Sequence, residues 1–252
     1  MFVIAGNRRQ QGTRVLDDGL VRARWRTWPR QPSIAHVVMA DHTIAPVSTT
    51  IRDWIALIAE CGHSTIRTGA LSTEAADRFR EHGFVEIQRL ALLHLGLDGS
   101  RIPDPHHRLR PLRGDRAFAA AERIDERAFE TEWNLDAAGI REACEATPAH
   151  RIRLALTAND DPAGYMITGR NGAAGFVQRL AVDPAHEGQG VATSLILDGL
   201  RWLRRHRVDD VLINTRLDNE RALVLYRRLG FVDMNETLSV LELDLGDHSE
   251  AP

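Results

Sequence analysis

A glycine-containing turn at residues 186–192 constrains this chain more than any other segment, and its sequence is His-Glu-Gly-Gln-Gly-Val-Ala. Residues 175–182 before it read as a strand that ends at Asp183, and residues 191–203 after it carry apolar side chains at helical spacing. A strand that runs through such a turn into a helix leaves backbone N–H groups unpaired at the positive end of the helix dipole. The segment therefore predicts either a phosphate-binding loop or an ordinary strand–turn–helix junction.

The residues that follow this turn favour a phosphate-binding loop. Residues 211–214 read as a short apolar strand, and residues 219–231 as a helix with Asn219 as N-cap and Gly230 as C′ residue. A nucleotide-binding P-loop would need a Gly-Lys-Ser or Gly-Lys-Thr ending, which the turn lacks. In order and spacing, these segments resemble the GNAT superfamily of acetyl-CoA-dependent N-acetyltransferases. The matching residues are Gly188, Gln189, Gly190, Val191, Ala192, Asn219, Ala222, Tyr226, Gly230 and Phe231.

The resemblance implies that acetyl-CoA is the acyl donor. In the family, the strand before the loop separates from its neighbour, and the pantetheine arm of acetyl-CoA lies in the gap. The residues implied to bind acetyl-CoA are Leu180, Ala181, Val182, Gly188, Gln189, Gly190, Val191, Ala192, Thr193 and Asn219. The backbone N–H of Val182 would stabilise the oxyanion of the tetrahedral intermediate. Asn219 has the alternative role of helix cap alone.

Tyr226 is the general acid that the resemblance implies. A phenol with a reference pKa of about 10 is protonated at neutral pH and can protonate the departing thiolate. The alternative is an aromatic residue that only anchors its helix. Spacing fixes no general base. By resemblance, the segment between two early helices lines the acceptor site, so Glu130 and Glu132 are candidates for the base or for acceptor contacts, with solvated surface as the alternative.

The loop departs from the family pattern at Glu187, because the family usually has an arginine or a glutamine facing the pyrophosphate at this position. A carboxylate repels phosphate there. The sequence thus predicts either weaker donor binding or a Glu187 side chain that turns to solvent. The backbone amides of the loop do not depend on this side chain.

Residues 66–95 resemble residues 213–243, which indicates an internal repeat. Superposing Gly83 on Gly230 gives an offset of 230 − 83 = 147. At this offset Phe79 stands against Tyr226 and Ser72 against Asn219, and residues 40–47, where a loop would lie, contain no glycine. We therefore predict a degenerate GNAT-like N-terminal half that neither binds acetyl-CoA nor catalyses. The alternative is chance similarity between two units built of helix, Gly-Phe and strand.

The predicted fold is α/β with a mixed sheet (α+β). The sequence divides into a partial GNAT-like domain at residues 1–97, a glycine- and proline-containing linker at 98–106, a catalytic GNAT domain at 107–246 and a tail at 247–252. Within residues 107–246 the expected order is strand, two helices and three strands, then the loop followed by helix, strand, helix and strand.

Composition and charge exclude several other classes. The formal net charge is −3, so neither nucleic acid nor an anionic membrane is an expected partner. No apolar run is long enough to span a membrane, and the apolar stretch at residues 2–5 is too short for a signal peptide, so we expect a cytoplasmic protein. Cys61 and Cys144 lack metal-ligand spacing, and His106 and His107 are expected to be solvated, so no metal is predicted.

The function that the sequence predicts is transfer of an acetyl group from acetyl-CoA to a primary amine by direct attack in a ternary complex. The acceptor is either a small-molecule amine or a peptide N-terminus, and the oligomeric state is not predicted. The alternative, motivated by Glu187 and by the missing base, is a non-catalytic protein that binds acyl-CoA or regulates a partner.

Overall fold

The structure, a computed structural model, describes residues 14–28, 31–40, 45–97, 99 and 101–246. These residues form eleven strands and six helices. The chain divides into two compact units: the first comprises the described parts of Met1–Leu92, Thr215–Asp218 and Met234–Pro252, and the second those of Leu93–Asn214 and Asn219–Asp233. The predictions for residues 2–5 and for the tail at 247–252 concern positions outside the described residues, as does part of the segment 40–47.

The first unit has a mixed sheet in the order β1-β2-β3-β4-β11-β5. Strands β1, β2 and β3 pair antiparallel, β3 pairs parallel with β4, and β4 pairs antiparallel with β11. Its elements are β1 (Arg14–Asp17), β2 (Arg22–Trp28), β3 (Gln31–Met39), α1 (Ser48–Glu60), β4 (Thr65–Thr68), α2 (Thr73–Arg80) and the greater part of β5 (Val85–Gly96) and β11 (Val232–Asp244). One apolar core joins these elements, and it includes Trp25, Val37, Ile58, Ile66 and Phe79.

The second unit has a mixed sheet in the order β10-β9-β8-β7-β6, in which only β10 and β9 pair parallel. Its elements are β6 (Arg108–Pro111), α3 (Asp115–Ala128), α4 (Ala137–Cys144), β7 (Ala149–Leu156), β8 (Pro162–Asn171), β9 (Ala174–Val182), α5 (Val191–Arg205), most of β10 (Asp210–Arg216) and α6 (Glu220–Arg228). Its α3 and α4 pack on the sheet through a core that includes Ile124, Ile140, Tyr165 and Ala181. The predicted α/β fold with a mixed sheet is confirmed.

The compact units differ from the domain boundaries that the sequence predicts. The C-terminal strand β11 groups with the first unit, because Glu242 to Asp244 pair with Arg67 to Thr65 of β4. Domain boundaries drawn along the sequence cannot anticipate that a C-terminal strand belongs to the first unit, since strand pairing depends on contacts between residues far apart in the chain. None of the helices among the described residues is long and apolar enough to cross a membrane.

The local geometry of α2 and α6 supports the repeat that the sequence indicates. Ser72 caps α2 by accepting from the Ala75 amide, and Asn219 caps α6 in the same way from Ala222, at the offset of 147. Each helix is followed within three residues by a glycine with positive φ, 86° at Gly83 and 93° at Gly230.

The stretch after each helix is also alike in the two units. Arg80 of α2 forms an ion pair with Glu86, with 2.6 Å between Nη2 and Oε2. Arg227 of α6 pairs with Asp233, with 2.7 Å between Nε and Oδ2. Both residues of this pair lie 147 positions after their counterparts, since 80 + 147 = 227 and 86 + 147 = 233. Each unit also has one aromatic ring contact at this offset, Phe79 with Phe84 in the first unit and Tyr226 with Phe231 in the second.

Candidate functional site

Strand β9 loses its partner on one edge before it reaches the loop. Its parallel register with β10 runs from Ala174 to Val177, whereas β9 itself continues to Val182. The register with β8 shifts at the same place, because Ile167 pairs with Arg179 and Thr168 with Val177, which leaves Gln178 as a bulge. From Gln178 onwards, the edge of β9 away from β8 is not in register with β10.

The backbone groups of this open edge belong to the residues that the sequence identified. The Asp183 amide donates to the Ala163 carbonyl at 2.9 Å, which makes these residues a hydrogen-bonded pair of the antiparallel ladder. Because such pairs alternate along the ladder, Ala181 also bonds to β8, whereas Leu180 and Val182 direct their N–H and C=O groups to the open edge. The edge is thus suited to an extended ligand that pairs like a strand. The backbone of Ala181 pairs with β8, and its place among the donor-binding residues stays a prediction.

The loop after β9 presents a row of unpaired amides. Gly188 and Gly190 have φ of 73° and 82°, a left-handed conformation that glycine adopts without strain. Gly190 is the N-cap of α5 and has no side chain to cap it. Among the described residues, none of the six backbone N–H groups from Gly188 to Thr193 has a hydrogen-bond acceptor. Converging amides at the N-terminus of a long helix form a site for a phosphate group.

Glu187 does not simply turn to solvent. Its Oε2 accepts a hydrogen bond from Arg221 Nη1 at 2.5 Å, in an ion pair whose side chains are 40% and 70% exposed. Arg221 belongs to the first turn of α6, so the pair holds the start of this helix, and with it Asn219, beside the loop. Arg221 could not be predicted as the partner of Glu187, because no spacing rule connects a loop carboxylate with a helix residue 34 positions away.

The segment at 104–107 is bound to α5 and to the loop. The buried hydroxyl of Ser194 accepts the backbone N–H groups of His106 and His107 at 3.2 and 3.1 Å, and Asp104 pairs with Arg201. The Nε2 of His107 lies 2.8 Å from the Gln189 carbonyl, to which it donates. His106 is exposed, and His107 is half-buried with its ring in contact with this carbonyl. Among the described residues, no group of three His, Cys, Asp or Glu side chains could hold a metal ion.

Tyr226 lies on α6 with only 5% of its surface exposed. Burial raises the pKa of its phenol to about 12, so the hydroxyl keeps its proton throughout the neutral range. Its ring packs against Phe231, with 6.0 Å between the centroids. The second unit therefore contains a buried phenol that stays protonated at neutral pH, which is one property that a general acid requires.

A buried charge network shapes the segment between α3 and α4. Asp125 of α3 is fully buried and accepts hydrogen bonds from the Tyr165 hydroxyl and from Arg179, whose Nη2 lies 2.6 Å from Oδ1. Burial opposes the charge of Arg179, but its hydrogen bond and attraction to Asp125 raise its pKa above the usual value. Burial, followed by the charge of Asp125, raises the pKa of the Tyr165 phenol well above its ordinary range.

The same network fixes two backbone groups of this segment. Arg179 Nη2 donates to the Trp133 carbonyl at 2.9 Å, and Asp125 Oδ1 accepts from the Leu135 amide at 2.6 Å. The guanidinium of Arg179 also stacks on the Phe129 ring, with 3.6 Å between Cζ and the ring centroid. The candidate base residues Glu130 and Glu132 stand exposed on this ordered segment. A sequence signal for the network exists, since Asp125 directly follows Ile124 on the apolar face of α3.

Comparisons with known proteins agree with this geometry. Residues 118–231 match the family model described as Acetyltransferase (GNAT) family. The chain is 35% identical to N-alpha-acetyltransferase 30 of Schizosaccharomyces pombe over 57 residues. This aligned segment covers 23% of this chain and 38% of that protein. It is 27% identical to mycothiol acetyltransferase of Renibacterium salmoninarum over 185 residues. This alignment covers 64% of this chain and 52% of that protein.

A solved structure shows the same fold across both units. The tandem GNAT protein from the clavulanic acid biosynthesis pathway superposes with a TM-score of 0.64 at 17% identity, covering 94% of this chain and 81% of that one. The matched segments span about a third to a half of the curated relatives. The mixed sheet with an open strand edge, followed by a loop of unpaired amides, is consistent with the GNAT fold of this neighbour. Residues 118–231 of this chain therefore match the GNAT family.

Proposed function

We propose that the second unit transfers an acetyl group from acetyl-CoA to a primary amine. The observation that carries the proposal is the continuity of the open edge of β9 with the row of unpaired amides from Gly188 to Thr193. An extended arm that ends in a pyrophosphate fits this arrangement, because the edge offers strand-like pairing and the amides offer donors to phosphate oxygens. The matched family and the acetyltransferase names of the relatives support the same donor.

The chemistry follows from the positions of the chain's own groups. Leu180 and Val182 hold the donor arm through their backbone, and the amides of residues 188–193 hold its pyrophosphate, with the Thr193 hydroxyl as a further donor. The N–H of Val182 faces the open edge, where it can stabilise the oxyanion that forms when the amine attacks the thioester. Tyr226 then protonates the departing thiolate.

The acceptor is a primary amine, carried either by a small molecule or by a peptide N-terminus. The relatives named above are called an N-alpha-acetyltransferase and a mycothiol acetyltransferase, which represent these two classes. Glu130 and Glu132 stand on the ordered segment after α3, where a carboxylate would accept the proton of an incoming ammonium group.

In this proposal the first unit has no site for acetyl-CoA. Strand β4 keeps its register with β3 through Thr68, paired with Val37, and the Gly69 amide donates to the Val37 carbonyl at 2.7 Å. At the offset of 147, Thr68 corresponds to Thr215, whereas β10 loses its register with β9 at Ile213. The edge that an acyl donor would need is therefore closed by strand pairing in the first unit.

Calorimetric titration with acetyl-CoA tests the proposal, and one site per chain is the expected result. Gly190→Ala forces a side chain into a left-handed backbone at the loop and should weaken binding about tenfold or more. Gly172→Ala is the matched control, since this hairpin glycine also has positive φ and open space around it. The absence of binding would overturn the proposal in favour of a structural or regulatory protein, and two sites per chain would contradict a closed first unit.

The amine acceptor is identified in a second assay, which measures thiol release from acetyl-CoA. Peptides with free N-termini and small amines are compared with the same compounds after N-acetylation, which removes the nucleophile. Stimulation by a free amine but not by its blocked form is expected. If the protein binds acetyl-CoA and no amine in a broad panel stimulates thiol release, the non-catalytic alternative replaces the transferase.

A further inference from the structure

The first residue of the proposed phosphate-binding loop carries the same charge sign as its ligand. Glu187 directly precedes Gly188, the first of the unpaired amides. A carboxylate beside a bound pyrophosphate opposes binding, because the two groups carry charges of the same sign. The loop therefore needs a neighbouring cation if it is to bind a phosphorylated donor well.

Arg221 is positioned to provide this cation. Its Nη1 lies 2.5 Å from Glu187 Oε2, which places the guanidinium at the mouth of the loop. A guanidinium carries five N–H donors in a planar fork, and Glu187 Oε2 takes only one of them in this contact. The side chain is 70% exposed, so its remaining donors are accessible to a ligand. The pair is thus neutral in total but offers donors on the side away from the carboxylate.

Resting on the proposed function, we infer that Arg221 is a phosphate-binding residue of the acetyl-CoA site and that Glu187 is its positioning partner. The guanidinium neutralises Glu187 and donates to the phosphates of the donor, while the carboxylate holds it at the loop. The basic group that a phosphate loop requires comes here from α6 rather than from the loop itself.

Four variants test this inference by titration of acetyl-CoA at physiological salt. Arg221→Ala removes the cation and leaves Glu187 alone at the loop, so the Kd should rise about tenfold or more. Glu187→Gln keeps an oxygen acceptor for Arg221 and removes the repulsion, so the Kd should stay within about threefold of the native value or fall. The double variant should bind more tightly than Arg221→Ala, because the repulsive charge is also absent.

Arg228→Ala is the matched control for Arg221. Arg228 is exposed and lies seven residues further along α6 on the same face, about 10 Å from Arg221 along the helix axis. At physiological salt this distance exceeds the screening length of about 8 Å. Arg228→Ala should therefore leave the Kd for acetyl-CoA near the native value.

Two further measurements separate this inference from simpler explanations. S-acetylpantetheine lacks the phosphates of acetyl-CoA, so Arg221→Ala should bind it as the native protein does; an equal loss for both donors would overturn the inference. If Arg221→Ala and Arg228→Ala bind acetyl-CoA equally well, Arg221 forms only a surface ion pair. That result leaves the proposed function intact, whereas a native protein that binds no acetyl-CoA removes the function and the inference together.

Discussion

Replacing Arg179 by methionine should destabilise the second unit strongly. Arg179 compensates the charge of Asp125, which is fully buried, and its own side chain is only 17% exposed. Methionine keeps much of the length and apolar volume of the arginine but removes the positive charge and three hydrogen bonds, two to Asp125 and one to the Trp133 carbonyl. Among the residues that the structure describes, Asp125 then retains the Tyr165 hydroxyl and the Leu135 amide as partners.

The expected loss can be estimated from this geometry. Breaking a buried ion pair by removal of one partner costs about 3–5 kcal/mol, because the other charge stays buried without compensation. In a unit of this size each kcal/mol lowers the melting temperature by about 2–4 °C, so the shift should be roughly 6–20 °C. The segment after α3 should also become more mobile, since the Trp133 carbonyl loses its donor.

Thermal and urea denaturation measure the free energy of unfolding, with Arg141→Met as control. Arg141 pairs with Asp115 at 2.8 Å on the surface, where the side chains are 43% and 101% exposed, so its loss should cost no more than about 1 kcal/mol. Asp125→Asn combined with Arg179→Met should be more stable than Arg179→Met alone, because no charge is then buried unpaired. Equal losses for Arg179→Met and Arg141→Met would refute the reasoning.

Three further predictions concern single side chains. Tyr226→Phe should lower kcat by about 100-fold or more with little change in acetyl-CoA affinity, and with a native pKa of about 12 the phenol should cause no loss of activity up to about pH 10; unchanged transfer would remove its role as acid. Burial lowers the pKa of His36 from 6.5 to about 3, so the unfolded state binds the proton first, and stability should fall as pH decreases from 6.5; His36→Gln should flatten this decline in denaturation curves. A thiol reagent should modify exposed Cys61 and spare buried Cys144, whose pKa is raised to about 11 by burial; mass spectrometry distinguishes the two.

Local signals explain why much of the fold could be predicted from the sequence. Asn219 caps α6 as expected, and Gly230 ends it with the positive φ that a C′ residue requires. Asp136 likewise caps α4 by accepting from the Gly139 amide at 2.7 Å. Each of these features depends on residues within about one helical turn, where side-chain chemistry and backbone geometry determine one another. The order of elements in the second unit follows from the same local patterns.

Contacts between distant residues explain why other parts of the candidate site escaped prediction. The pair of Glu187 with Arg221 joins residues 34 positions apart, and the pair of Asp125 with Arg179 joins residues 54 apart. Many acidic and basic side chains could form such pairs, and only the packing of α3 and α6 on the sheet selects the partners. Glu187 was therefore recognisable in the sequence as a departure from the family pattern, but the arginine that pairs with it was not.

The contrast between the two units concerns strand pairing more than the loss of single side chains. Phe79 stands where Tyr226 stands in the second unit, so the first unit lacks the phenol that would act as acid. The phenol would have nothing to act on there, since β3 and β4 remain paired through Val37 and Thr68 and their backbone groups bond to each other. An extended donor arm competes for these same groups. Under the proposed function, acetyl transfer thus requires an unpaired strand edge first, and the chemical groups act only where that edge stays open.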